Sequence, residues 1–176
     1  AMANDPAVLY VEPDYRLHTM ATIPDDSLFT DLWGMHNTGQ SGGTADADID
    51  APEAWDLFTG STSVVIAGID TGVDYTHPDL VDNMWINPGE VPGDGIDNDS
   101  NGYIDDTYGI DTSSHDSDPF DDNGHGTHTA GTFAAVGNNT VGVAGANWDV
   151  QVMALKFLDA SGSGNTSDAI ELIEYM

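Results

Sequence analysis

Val64-Val65-Ile66-Ala67-Gly68-Ile69-Asp70-Thr71-Gly72 carries six apolar residues straight into a carboxylate and a Thr-Gly turn. The run from Ser63 to Ile69, unbroken by charge and rich in β-branched residues, is the pattern of a strand covered on both faces in a parallel sheet. A second such run spans Val150 to Leu158. Between them, Asn123-Gly124-His125-Gly126-Thr127-His128-Thr129-Ala130-Gly131 leads a helix expected over His125 to Ala135 out of a glycine turn. An earlier helix is expected over Ala51 to Thr59, with Asp50 and Glu53 as a capping box, Pro52 in the first turn and Gly60 closing it. A last helix starts at about Ser167. Strands alternating with helices, joined by right-handed crossovers, predict an α/β layered fold with a parallel sheet.

The sequence has 176 residues, with 31 Asp and Glu against two basic residues, Arg16 and Lys156, for a net charge of −29. Such a field repels phosphate backbones and excludes nucleic acid as a partner class. The acids concentrate between Asp94 and Asp122, where bound cations or a salty medium would relieve the repulsion. High charge with low hydrophobicity also fits disorder, but the apolar runs argue against disorder of the whole. Cysteine is absent, which removes disulfide and thiol chemistry. No signal peptide or membrane-spanning run is visible, and Ala1-Met2-Ala3 reads as a cloning remnant. Ile170 to Met176 stays in helical rhythm without a cap, as in a chain that continues.

Asp70 follows a strand, where open α/β sheets place their chemistry, and His125 opens a helix. In this order the two segments resemble the Asp and His segments of subtilisin-like serine peptidases, the subtilases. The resemblance implies a truncated subtilisin-like three-layer α/β fold and a serine endopeptidase acting on polypeptides through an Asp-His-Ser triad. Asp70 would orient and stabilise the imidazole of His125, the general base. A serine in a Gly-Thr-Ser-Met-Ala setting occurs nowhere in the sequence, so this chain is expected to be the N-terminal part of a protease and inactive alone. His128 is expected to pack inside or bond to backbone. A zinc pair of His125 and His128, three residues apart on one helix face, is the competing reading. Gly162, Ser163 and Gly164, with Leu158 before them, resemble the family's substrate-binding segment, where small residues admit an extended peptide backbone; a flexible loop and a core leucine are the alternatives.

The resemblance extends to domain organisation. Leu9 to Tyr15 resembles the last strand of a propeptide, within a strand expected over Ala7 to Tyr15, with maturation near His18 to Thr22; an ordinary edge strand is the alternative. Residues 1–21 would then be remnant and propeptide end, and residues 22–176 the front of the catalytic domain with an Asp/Gly-rich insertion at 87–124. A secreted zymogen, with its own propeptide as a partner and no membrane or nucleic acid, is what the family implies.

Calcium is the expected cofactor. Asp97, Asp99 and Asn101 place oxygens at alternate positions before Gly102, like the front half of an EF-hand loop, with Tyr103 as a carbonyl ligand. Tyr108 occupies the twelfth position in place of Glu, so Asp106, or failing that Asp105, must close the shell; a solvated acidic loop is the alternative. Two further sites follow from the resemblance: Asp26, Asp79 and Asn139 with carbonyls of Val136, Val141 and Val143, and a thermitase-like set of Asp111, Asp116, Asp118 and Asp121. A non-catalytic calcium-binding module that keeps the fold and lacks the nucleophile is the second reading of the whole, and metal-dependent hydrolysis through both histidines the third.

Overall fold

The computed structural model describes residues 21–176. The strand expected over Ala7 to Tyr15 lies outside the described residues, as does nearly all of the expected propeptide end.

Three parallel strands form one sheet in the order β1 (Gly60–Asp70), β3 (Asp149–Lys156), β2 (Gly109–Asp111). Residues Asp70 and Asp111 both register with Lys156, so the three strands end level at their carboxyl ends. Side chains alternate across β3. Val150, Val152 and Ala154 pack with Ala130 and Ala134 of α2 (His125–Ala134), and Leu155 packs on the other face with Ile110 and Leu172 of α3 (Thr166–Tyr175). The two-residue period of a strand thus separates two cores and yields helix, sheet and helix as three layers. A third cluster joins Phe29, Met35, Trp55 and Ala144.

Several expectations are corrected. Helix α1 is only Ala51–Trp55, and Asp50 sits in the left-handed region without a side-chain cap bond, so no capping box forms there. Gly60 does not close that helix; it opens β1 at φ 129°, where a Cβ would come 2.3 Å from the Asp149 carbonyl oxygen. Strand β1 is one of two sheet edges among the described residues, and Val64 and Val65 are exposed rather than covered. The acidic insertion contributes strand β2, whose Ile110 is fully buried. Three residues with one aliphatic carry no period, which is why the pattern escapes a periodicity argument. Helix α3 begins one residue earlier than expected, and Asp168 accepts hydrogen bonds from the Asn165 backbone N–H and side-chain amide, at 3.4 and 2.9 Å, at its N-terminus. None of the helices in the described residues is long and apolar enough to cross a membrane.

Candidate active site and cation-binding carboxylates

Asp70 is the last residue of β1, and His125 is the first of α2. Gly124, at φ 100°, turns the chain sharply into the helix, a conformation that favours glycine. The result brings His125 Nδ1 to 2.7 Å from Asp70 Oδ1 and 2.9 Å from Oδ2. The His125 side chain is 68% exposed and the Asp70 side chain 15%. The carboxylate is thus sheltered behind an imidazole whose Nε2 points away from it. The hydrogen bond and charge of Asp70 hold the His125 pKa above the ordinary imidazole range. Asp70 is itself oriented by the Thr71 backbone N–H, which donates to Oδ1 at 2.7 Å.

Two residues not singled out by sequence bind this corner together. Lys156, the only lysine or arginine among the described residues, is buried, and its Nζ donates to the Thr71 carbonyl at 2.7 Å, Asp122 Oδ1 at 2.7 Å and the Leu158 carbonyl at 3.0 Å. All three ammonium donors are thereby used, as a buried charge requires. Thr71, also buried, receives the Gly126 N–H on its hydroxyl and donates that hydroxyl to Asp121 Oδ1, each at 2.8 Å. Neither role has a local sequence signature, because every partner but Leu158 lies more than thirty residues away.

Asp121, one of the expected cation ligands, is surrounded by protein donors. Its oxygens accept from the backbone N–H groups of Asn123, Gly124 and Thr127 and the hydroxyls of Thr71 and Thr127. Burial alone would raise its pKa, yet these donors outweigh burial and bring it down to about 2. It is an anion satisfied at the N-terminus of α2, where the helix dipole favours one. The rest of the thermitase-like set also accepts local hydrogen bonds: buried Asp111 Oδ1 from Ser113 and Ser114, exposed Asp116 Oδ1 from the Asp118 N–H, and exposed Asp118 Oδ1 from the Tyr75 hydroxyl. His128 is exposed instead of packed inside, and lines a cavity of about 520 Å³ with Leu28, Leu32, Leu80 and Val143. No group of three metal-type side chains among the described residues includes either histidine.

The insertion does gather carboxylates. Oxygens of Glu90, Asp99 and Asp106 lie within 4.8 Å of one another. Asn101 points its amide at Asp99 and Asp106, at 3.2 and 2.8 Å, and Asn87 does the same at 3.1 Å each. Asp97 is outside the cluster and closes its own turn by accepting from Asn101 and Gly102. Asp105 instead ties Gly93, Asp94 and Gly95, and the Tyr103 hydroxyl donates to Glu171. Glu90 was missed because it joins the loop from seven residues before Asp97, beyond the spacing of a contiguous loop motif. Asp106 is buried and accepts the Tyr175 hydroxyl, which docks α3 on the loop; burial and the Asp106 charge push that phenol's pKa well above its usual range.

Near the N-terminal end of the described chain, Asp26 and Asp79 are both buried. Asp79 accepts from Asn139 Nδ2 and the Val143 N–H, each at 2.9 Å, and its carbonyl from the Val136 N–H. The Val141 N–H donates to Asn139 Oδ1, so this loop meets Asp79 with N–H donors. Asp26 Oδ2 accepts the Asn138 N–H at 2.6 Å while Oδ1 is buried without a partner among the described residues. Burial first, and the Asp79 charge as well, raise the Asp26 pKa. Gly137 fits this loop because a Cβ would lie 2.3 Å from the Trp148 ring.

The substrate-type segment is a tight turn: the Gly162 N–H donates to the Asp159 carbonyl and the Asp159 N–H to the Ser163 carbonyl. Gly162, Ser163 and Gly164 are exposed, Leu158 is half-buried, and a Cβ on Gly164 would come 2.1 Å from the Phe157 carbonyl oxygen. Asn123, two residues before His125, donates to the Ala160 carbonyl and links this turn to the histidine.

An α/β parallel sheet with an Asp-His pair at its carboxyl edge defines the class, and the Subtilase family model matches residues 61–176: the chain belongs to the subtilase family. Among particular relatives, it is 42% identical over 111 residues to Subtilisin-like protease 1 of Plasmodium berghei, covering 62% of this chain and 18% of that protein. It is 38% identical over 176 residues to the Thermophilic serine proteinase of Bacillus sp. (strain AK1), covering 99% of this chain and 35% of that protein. The serine protease of Aeromonas sobria, solved in complex with a chaperone, shares the fold with a TM-score of 0.65 at 23% identity, over 88% of this chain and 24% of that one. The chain thus spans between about a fifth and a third of the length of these curated relatives.

Proposed function

We propose that this chain is the front part of a calcium-stabilised serine endopeptidase that contributes Asp70 and His125 to an Asp-His-Ser triad. The observation that carries the reading is the 2.7 Å approach of His125 Nδ1 to Asp70. In that geometry Nε2 of His125 takes the proton of a serine hydroxyl and returns it to the leaving amine, while Asp70 stabilises the imidazolium between those steps. The nucleophile and its oxyanion donors lie outside this sequence, so the isolated chain hydrolyses nothing. Extended polypeptides are the substrates, laid along Gly162-Ser163-Gly164 near Leu158, and the family resemblance adds a propeptide ending within residues 1–21 and secretion.

Calcium suits the donors present, which are hard carboxylate and amide oxygens. Glu90, Asp99 and Asp106 would hold one ion, joined by Asn101 once its amide turns Oδ1 toward them, and Asp26 and Asp79 another, with Asn139 turned likewise and carbonyls of the 136–143 loop. The buried Asp26 Oδ1, without a partner among the described residues and beside a second buried carboxylate, supports the latter. A bound cation would neutralise charge and tie distant loops; it takes no part in the proton transfers.

The test is a polypeptide carrying this chain continued into a family-type Gly-Thr-Ser segment, compared with its His125→Ala variant and with the isolated chain. We expect labelling by a serine-directed fluorophosphonate and casein hydrolysis only in the first, with a loss of several orders of magnitude, about 10⁴-fold or more, on His125→Ala. Full activity in that variant, or proteolysis by the purified isolated chain, overturns the reading.

A further inference from the structure

We infer that Thr71 is a positioning residue for the Asp70–His125 pair, its hydroxyl acting as the joint between the end of β1 and the first turn of α2. The inference rests on the protease reading above and adds to it a residue that touches no reacting atom.

Four bonds converge on Thr71. Its N–H donates to Asp70 Oδ1 at 2.7 Å, and its carbonyl accepts from Lys156 Nζ at 2.7 Å. Its hydroxyl accepts the Gly126 N–H and donates to Asp121 Oδ1, each at 2.8 Å. Gly126 directly follows His125, so the hydroxyl holds the backbone that carries the imidazole, while the N–H of the same residue holds the carboxylate facing it. Asp121 then binds the helix start from the other side, through Gly124 and Thr127. The His125 side chain is 68% exposed, so burial alone does not fix it. Its approach to Asp70 depends on where the first turn of α2 sits, and the Thr71 hydroxyl, just after the Asp70 strand, bonds the residue next to His125, while the Thr127 hydroxyl accepts the Asp74 N–H one turn further on. Side-chain contacts at this precision need supporting groups whose own positions are locked, and Thr71 is buried.

Chemistry separates positioning from mere stabilisation. Valine matches threonine in shape but offers neither donor nor acceptor, so Thr71→Val leaves the Gly126 N–H unpaired and removes one donor from Asp121. Thr71→Ser keeps both bonds. The charged groups acting on His125 are Asp70 from β1 and Asp121 from the loop before α2, and neither is altered.

The experiment is an NMR titration of the His125 ring in this chain, with circular dichroism and thermal melting as checks of folding. We expect the wild-type midpoint above the ordinary imidazole value of about 6.5 and a Thr71→Ser midpoint unchanged from wild type. A folded Thr71→Val chain should fall back toward that value and lose the far-downfield Nδ1 proton signal of the Asp70 pair. A Thr71→Val chain with a lowered melting temperature and an unmoved midpoint overturns the inference, because a structural role alone predicts that pattern. If Thr71→Val does not fold, Thr71→Ser decides: retention of the wild-type midpoint supports the joint, and a return to the ordinary value in a folded chain overturns it. An ordinary midpoint in the wild type itself is a separate outcome, which sinks the Asp70–His125 pairing and with it the reading beneath.

Discussion

The bare Cα of Gly126 faces the carbonyl of Gly72: a Cβ there would stand 2.1 Å from that oxygen and 3.1 Å from the Asp70 Cβ. The first turn of α2 therefore lies directly against the turn that ends β1, and glycine after His125 is what allows it.

Gly126→Ala should push these two turns apart. Overpacking against backbone costs about 1–3 kcal/mol or more, and thermal melting should record a clear drop. The displacement also lengthens the His125–Asp70 approach, so the His125 titration midpoint should fall with it. A variant of wild-type stability and midpoint would contradict the close packing.

The Asp70 carboxylate raises the pKa of His125, and the sign of its linkage follows. A raised histidine adds stability that is fully present below its unfolded value, about 6.5, and is lost as pH rises through the higher folded value. Asp70→Asn should return the midpoint to the ordinary range and abolish this pH dependence, measured by denaturation at pH 5 and pH 8. In an assembled protease the same ionisation sets the acid limb of activity, which rises only as His125 loses its proton.

Lys156→Met retains the aliphatic stem but removes three donors. Two buried or partly buried carbonyls lose a partner, and Asp122, half-exposed, recovers water. The expected loss is about 1–3 kcal/mol, less than for a fully buried ion pair, read from urea midpoints at constant slope. Unchanged midpoints would remove Lys156 from the supports of the site.

Calcium should raise the melting temperature of this chain beyond what magnesium does at equal ionic strength, and a chelator should reverse the gain. Ligand at about a hundred times its dissociation constant stabilises by about 2.7 kcal/mol. Glu90→Gln should weaken binding about tenfold or more, whereas Asp97→Asn, outside the cluster, should affect it far less. Equal effects of the two substitutions would contradict the arrangement around Glu90.

Much of the architecture is local in origin and readable as such. Residues 150–156 alternate between two cores, and Gly124 carries the positive φ that starts α2. The failures are local signals overridden by distant partners. Asp50 and Glu53 have capping spacing, but Asp50 adopts a left-handed backbone and receives no cap bond. Val64 and Val65 read as core, yet coverage depends on neighbouring elements, and β1 has a sheet partner on only one side among the described residues.

By itself the sequence determined that Asp70 ends a strand and His125 begins a helix, because hydrophobic period and glycine turns act within a few residues. It equally determined the family, through motifs whose chain order is preserved. Only the tertiary structure decided that Glu90 joins Asp99 and Asp106, that the Asp121 oxygens gather donors from Thr71 and the start of α2, and that Thr71 and Lys156 knot the site. Those outcomes depend on donors and charges brought together across tens of residues, and the order of residues along a chain carries no distance between groups that meet only on folding.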